Sequence, residues 1–280
     1  MAWFQVNFFS VSLGRQVGLH VLLPAEMPGP IPATGSEAAG KQKFKTLYLL
    51  HGYMGNCNDW LLNTPINELS QQYGLAVVMP SGDNGFYVDQ PTSGVKGATY
   101  IGQELVEYTR KIFPLSDKRE DTIIGGIYMG GFGALINGMR FHDTFGHIVA
   151  ISPALVKYDI ANSTDEPNPV GATRGFFASV FGDLDKYPES ENNPAVLAAR
   201  LKAEGAQFPS IYLACGKNDM LVMPARELHG DLLKLGIAHT YVEGPGTHEN
   251  IFFFPHLRHG LSYIDLDRMP VMPNPFWIDG

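Results

Sequence analysis

The chain has 280 residues, 45% of them hydrophobic and 17% charged. That is enough apolar material for a buried core and rules out a disordered chain. Its net charge of −8 argues against nucleic acid and against anionic membrane, both of which need a positive field. The two cysteines, Cys57 and Cys215, are too few for a secreted disulfide scaffold and read as reduced thiols.

No apolar run reaches the ~18 residues of a membrane span. The start, Met-Ala-Trp-Phe-Gln-Val-Asn-Phe-Phe, lacks the basic and apolar regions of a signal peptide. The expectation is a soluble, cytoplasmic protein with no membrane or nucleic-acid partner.

In chain order, residues 3–10 and 17–23 are rich in Phe and Val and are split by Gly14 and Gly18, which predicts an antiparallel hairpin. Residues 24–44 carry Pro24, Pro28, Pro30 and Pro32 with three glycines and read as a loop ending in a solvated basic patch, Lys41, Lys43 and Lys45. Thr46–Leu50 is a short buried strand, 66–73 a helix, and Leu75–Met79 a strand closed by Pro80. Gly97–Phe113 has helical spacing through Ile101, Leu105, Tyr108 and Ile112.

Thr122–Gly126 is a strand, Gly130–Met139 a helix and Ile148–Ile151 a strand. Residues 153–207, punctuated by Pro167, Pro169, Pro188 and Pro194, break the rhythm and read as a cap-like insertion over one end of the sheet. Strand Ser210–Cys215, helix Met223–Leu235, strand Thr240–Glu243 and helix Asn250–Tyr263 follow. A proline-rich tail with Pro270, Pro273 and Pro275 ends the chain. Alternating short strands and helices predict an α/β fold over residues 1–280, one domain with a mostly parallel central sheet and helices on both faces.

Reactive groups in such sheets gather at the carboxyl ends of the strands. After Thr122–Gly126 comes Gly126-Ile127-Tyr128-Met129-Gly130-Gly131-Phe132-Gly133. This is the small-residue frame of the strand–turn–helix elbow G-x-S-x-G, with Tyr128 at the nucleophile position. Asp219 follows Ser210–Cys215, and His248 follows Thr240–Glu243 in a glycine-rich loop. Each taken alone reads as an ordinary turn or loop residue. Their order (nucleophile position, acid, histidine) is that of a hydrolase triad on this fold.

His51-Gly52-Tyr53-Met54-Gly55 follows Thr46–Leu50, where the fold supplies one oxyanion-hole amide, the other coming from the residue after the nucleophile. Tyr53 and Met129 are therefore the expected donors. Asp183 and Asp185 are alternative acids but read as turn residues of the insertion. His256 and His259 have no third ligand at metal spacing and read as a solvated helix face, so no metal is expected. There is no phosphate-binding or dinucleotide-binding glycine motif.

The segments Leu49-Leu50-His51-Gly52-Tyr53-Met54-Gly55-Asn56 with Trp60, Asn84-Gly85-Phe86-Tyr87, Gly126 to Ala134, Cys215-Gly216-Lys217-Asn218-Asp219 and Gly246-Thr247-His248-Glu249 together resemble the esterase family of α/β-hydrolases. That family includes S-formylglutathione hydrolase (esterase D), feruloyl esterases, tributyrin esterases and mycolyltransferases. The resemblance covers roughly residues 2–265. It implies cofactor-free hydrolysis of short acyl esters or acylated sugars, homo-oligomers, and a substrate pocket lined by Trp60, Phe86 and Tyr87. It also implies Ser at 128, and this chain has Tyr.

A phenol is a stronger acid than an aliphatic hydroxyl, so proton affinity is no obstacle. Geometry is one: the tyrosine oxygen stands roughly 6 Å from its Cα, by ordinary bond lengths. An ester attacked there lies away from both amides, and ~1 Å of misplacement already costs ~100-fold. The expected function is a carboxylesterase-type hydrolase whose activity is weak or absent. The alternatives are a non-catalytic binder that keeps the pocket and, less favoured, an acyltransferase to carbohydrate.

Overall fold

The computed structural model describes residues 1–24, 43–264 and 266. Most of the predicted 24–44 loop, with Lys41, and the proline-rich tail lie outside these residues. Eight strands form one sheet: β1 (Ala2–Ser10), β2 (Arg15–Leu23), β3 (Thr46–Leu50), β4 (Ala76–Pro80), β5 (Thr122–Ile127), β6 (His147–Ile151), β7 (Ser210–Gly216) and β8 (Thr240–Gly244). Their spatial order is β1-β2-β4-β3-β5-β6-β7-β8. β1 and β2 form the antiparallel hairpin, β2 joins β4 antiparallel, and every later pairing is parallel.

The central strands read as unbroken apolar runs because both their faces are covered. On β3, Leu47 and Leu49 face one core and Tyr48 and Leu50 the other. The first core is closed by α2 (Ile66–Tyr73) and α10 (Asn250–Ser262), through Ile66, Leu69, Phe252 and Leu257. The second is larger and lies under α4 (Leu105–Ile112), α5 (Met129–Arg140), α8 (Pro194–Ala203) and α9 (Val222–Lys234).

α4 is the last part of a helical run that begins at α3 (Gly97–Thr99) and passes through a π-helical turn, Tyr100–Glu104. The expected single helix is therefore present with a bulge in its middle. At that bulge the Glu104 carboxylate accepts from the Ser10 hydroxyl at 2.6 Å and the Val11 N–H at 2.6 Å, tying the β1–β2 turn to the helix.

The register of the parallel strands aligns their ends. Leu50 pairs with Gly126, Ile127 with Ile151, Ile151 with Ala214, and Gly216 with Gly244. The loops after β3, β5, β6, β7 and β8 consequently leave the sheet side by side.

Between β6 and β7 the chain forms α6 (Lys157–Ala161), α7 (Arg174–Phe181) and α8, with a 3-10 turn at Leu184–Glu189. These helices escaped the periodicity reading because they are short. Their caps were visible in the residues: Thr173 accepts from Phe176 N–H at 3.1 Å, and Asn193 precedes Pro194 at the first turn of α8. A further short helix, α1 (Asp59–Asn63), follows the His51 loop.

Two surface expectations change. Lys43 and Lys45 are not simply solvated, since each pairs with a carboxylate, Asp117 and Asp121 respectively. Nor is the His256–His259 face of α10 a bare one: both Nδ1 atoms engage the Tyr212 hydroxyl, at 3.0 and 2.9 Å. Both cysteines are free thiols, Cys215 buried and Cys57 partly so.

Candidate active site

The elbow after β5 is as tight as its glycines suggest. A Cβ on Gly126 would lie 2.5 Å from the Gly130 carbonyl, and one on Gly130 would lie 2.4 Å from the Leu50 carbonyl oxygen. Both obstacles are backbone, so neither can give way. Tyr128 sits at the apex with φ 51° and ψ −115°, a conformation that side-chain-bearing residues adopt at a cost of roughly 1–3 kcal/mol. Neighbouring backbone holds it there. Tyr128 N–H donates to Ile151 O at 3.2 Å, and its own carbonyl accepts from Phe132 at 3.0 Å and Ala154 at 2.9 Å.

Asp219 and His248 meet as the chain order suggests. His248 Nδ1 lies 2.9 Å from Asp219 Oδ2, and the Asp219 side chain is fully buried while His248 keeps 23% of its side chain exposed. The carboxylate can only accept, so Nδ1 carries the proton and Nε2 is left as the free base. Burial pushes the Asp219 carboxyl up. The His248 bond and the Leu221 N–H at 2.9 Å outweigh it, so the group stays below its ordinary range. Ser152, buried and with φ 42°, stands beside Asp219 and Cys215, its hydroxyl close enough to favour the ionised carboxylate but without a hydrogen-bond partner among the described residues.

Tyr128 meets His248 edge to face, with ring centroids 5.0 Å apart at 78°. Its hydroxyl makes no hydrogen bond among the described residues, so no direct bond joins the phenol to His248. The expected acidity of the phenol is also changed. Burial first, then the nearby Asp159, Tyr53 and Asp219, pushes it up to about 12.

The ring divides the surroundings in two. On one side lies a cavity of about 210 Å³ whose walls include His51, Tyr53, Asp59, Trp60, Tyr128 and His248. On the other side only about 20 Å³ remains between Tyr128, Tyr53, Phe86, Asp159, Phe176 and Phe177. Trp60 therefore faces the larger cavity and Phe86 the smaller. Tyr87 belongs to neither: its hydroxyl donates to His51 O at 2.9 Å, and its ring packs against Gly133 of α5.

Met129 follows Tyr128 in the elbow and Tyr53 follows Gly52, which lies against it; neither backbone N–H is engaged by another group among the described residues. Asp183 and Asp185 lie away from the site, one capping the 3-10 turn and the other paired with Arg174. Among the described residues no three His, Cys, Asp or Glu side chains are placed to hold a metal ion. None of their helices is long and apolar enough to cross a membrane. His51 and Asn84, present in the motif segments without an assigned role, and Asn137, which stood outside them, brace the loops of the site. The available signal was their place in or beside the motifs.

A mostly parallel sheet flanked by helices, with an elbow, a buried acid and a histidine after β5, β7 and β8 respectively, defines an α/β-hydrolase. Residues 10–258 match the family described as "Putative esterase", and the chain belongs to that family. It is 37% identical over 264 residues to an acetyl esterase of Caldicellulosiruptor saccharolyticus, covering 94% of this chain and 98% of that protein.

Among solved structures it is similar to the Staphylococcus aureus S-formylglutathione hydrolase (25% identity, TM-score 0.79). It is also similar to the S. aureus fluorophosphonate-binding serine hydrolase FphF (26% identity, TM-score 0.81). Each of these two matches covers 94% of this chain and 98% of the other.

Proposed function

We propose that this chain is an esterase by descent, built for short-chain acyl or acylated-sugar esters, in which Tyr128 replaces the serine nucleophile and leaves hydrolysis weak or absent. One observation carries the reading. The Asp219–His248 pair and the glycine elbow are intact, yet the Tyr128 hydroxyl has no hydrogen bond to His248. In this reading Asp219 orients His248, and His248 Nε2 is the general base. The N–H groups of Tyr53 and Met129 receive the oxyanion, and residues 153–207 form a cap over the acyl side.

A serine at 128 would place its oxygen on Cβ, within the elbow that these amides surround. The tyrosine carries its oxygen past them, and its ring fills the acyl side, where about 20 Å³ remains. The elevated phenol makes deprotonation by His248 harder still. The acetyl esterase relative supports a small acyl group. The remaining cavity beside Trp60 and His248 also favours a second reading, a binder that holds an ester or alcohol without cleaving it.

Hydrolysis of p-nitrophenyl acetate and butyrate by the chain and by Tyr128→Ser, side by side, tests this. The serine variant is expected to gain at least ~100-fold in kcat/KM, and His248→Ala in that background to remove the gain. Fast turnover by the tyrosine form overturns the geometric argument. Two inactive forms overturn the triad assignment.

A further inference from the structure

We infer that His51 and Asn84 are positioning residues for the oxyanion amide of Tyr53, each clamping one of the two peptide units that flank it. The inference rests on the hydrolase reading for its catalytic meaning. Its geometry stands independently.

The N–H of Tyr53 belongs to the same peptide unit as the carbonyl of Gly52. His51 Nδ1 lies 2.7 Å from that carbonyl oxygen. A carbonyl only accepts, so Nδ1 carries the hydrogen and donates. The other ring nitrogen, Nε2, accepts from the Gly82 N–H at 2.9 Å. Both nitrogens are thus committed, and the tautomer is fixed by its partners. His51 is 1% exposed, and burial holds its pKa below the ordinary value, which favours this neutral form.

A trans peptide is planar, with C=O and N–H pointing opposite ways. Holding the Gly52 oxygen therefore aims the Tyr53 N–H to the far side. Gly52 itself lies against the elbow: a Cβ built on it would stand 3.7 Å from Tyr128 Cβ.

The next peptide unit is held by Asn84, whose Oδ1 accepts from the Met54 N–H at 2.7 Å. Met54 is a non-glycine residue at φ 63°, so this bond secures a turn that the residue would not choose alone. Tyr53 is in this way pinned from before and after.

The loop Ser81–Val88 carries Asn84 and, through the Gly82 N–H, also anchors His51. The same loop supplies the Tyr87 hydroxyl to His51 O. Its Tyr87 carbonyl accepts from Asn137 Nδ2 at 3.0 Å, and that amide also donates to Gly133 O at 2.9 Å. Asn137 is on α5, the helix that begins with Met129. The loop therefore brackets the two oxyanion donors together. Three of its non-glycine residues, Asp83, Phe86 and Tyr87, have φ between 49° and 56°, a concentration of strain that needs strong external support.

The test removes one clamp and then restores it. In the Tyr128→Ser background, Asn84→Ala is expected to lower kcat on p-nitrophenyl acetate by roughly 10- to 100-fold with KM within about twofold. Asn84→Asp keeps an acceptor for the Met54 N–H and is expected to recover kcat to within about fivefold. Equal loss in both variants, an unchanged kcat, or a loss confined to KM overturns the assignment.

In the chain with Tyr128 in place, amide exchange by NMR reads the clamp without catalysis. Met54 is expected to exchange at least ~10-fold faster in Asn84→Ala and to recover in Asn84→Asp. Unchanged exchange overturns the clamp. Responsive exchange with an inactive Tyr128→Ser supports the clamp and refutes the hydrolase reading.

Discussion

The elbow around Tyr128 and the segment between β6 and β7 are held by different physics. At the elbow, backbone meets backbone. The strand β5, the loop after β3 and α5 approach so closely that only hydrogen fits at Gly126 and Gly130. The segment from α6 to α8 is held by side chains instead. Phe176 packs on Tyr53, and Phe181 on Phe86, Phe132 and Tyr187, with ring centroids 5.1 to 6.1 Å apart. A backbone-limited region tolerates almost no added atom, whereas a side-chain-limited one yields in proportion to the area removed. This is why the elbow frame persists around a residue as foreign to it as Tyr128. The frame never touches what the side chain does beyond Cβ.

The contrast breaks most visibly at Gly130. Its substitution by alanine sets a methyl 2.4 Å from the Leu50 carbonyl oxygen and 2.6 Å from that of His51. Neither atom can move without dislocating β3 or the loop that follows it. The expected loss is about 5 kcal/mol or failure to recover folded protein, read by urea denaturation or soluble yield. A Gly130→Ala variant as stable as the parent would mean that the elbow is looser than its backbone distances imply.

In the insertion the corresponding strong change is Phe181→Ala. Phe181 is 8% exposed and sits where the insertion meets Phe86 and Phe132. Removing it costs about 3–5 kcal/mol, measurable as a fall in Tm of roughly 10 °C. A change under ~1 kcal/mol would show that the aromatic cluster collapses to fill the space.

The same division explains what was legible beforehand. Gly126, Gly130 and the Asp219–His248 pair were readable because a tight elbow and side chains meeting at strand ends demand particular residues at particular steps. The strands were readable because their burial on both faces leaves unbroken apolar runs such as Thr46–Leu50. α7 was missed because it is eight residues long and is stabilised by Tyr53, Phe86 and Phe132 from distant parts of the chain. No local period encodes such contacts. Tyr87 lay next to Phe86 in a motif, yet its consecutive left-handed backbone turns the two apart: Phe86 goes to the smaller cavity and Tyr87 to His51. The raised phenol of Tyr128 was likewise beyond reach, since it depends on burial and on Asp159, which lies in α6.

The smallest effect is expected at Gly175, and it tests the comparison from the opposite side. Gly175 lies in the first turn of α7, and a Cβ there would meet only the Thr173 hydroxyl, at an ordinary 3.7 Å. With free space and helical backbone, alanine replaces the most flexible residue with the best helix former. Gly175→Ala is then expected to stabilise by about 0.5–1 kcal/mol, acting through the unfolded chain as much as the folded one. A rise in Tm of a few degrees would set it against the collapse at Gly130, two glycine-to-alanine changes of opposite sign. A loss at Gly175 would mean that the insertion, too, is limited by backbone approach, and that its tolerance has been misjudged.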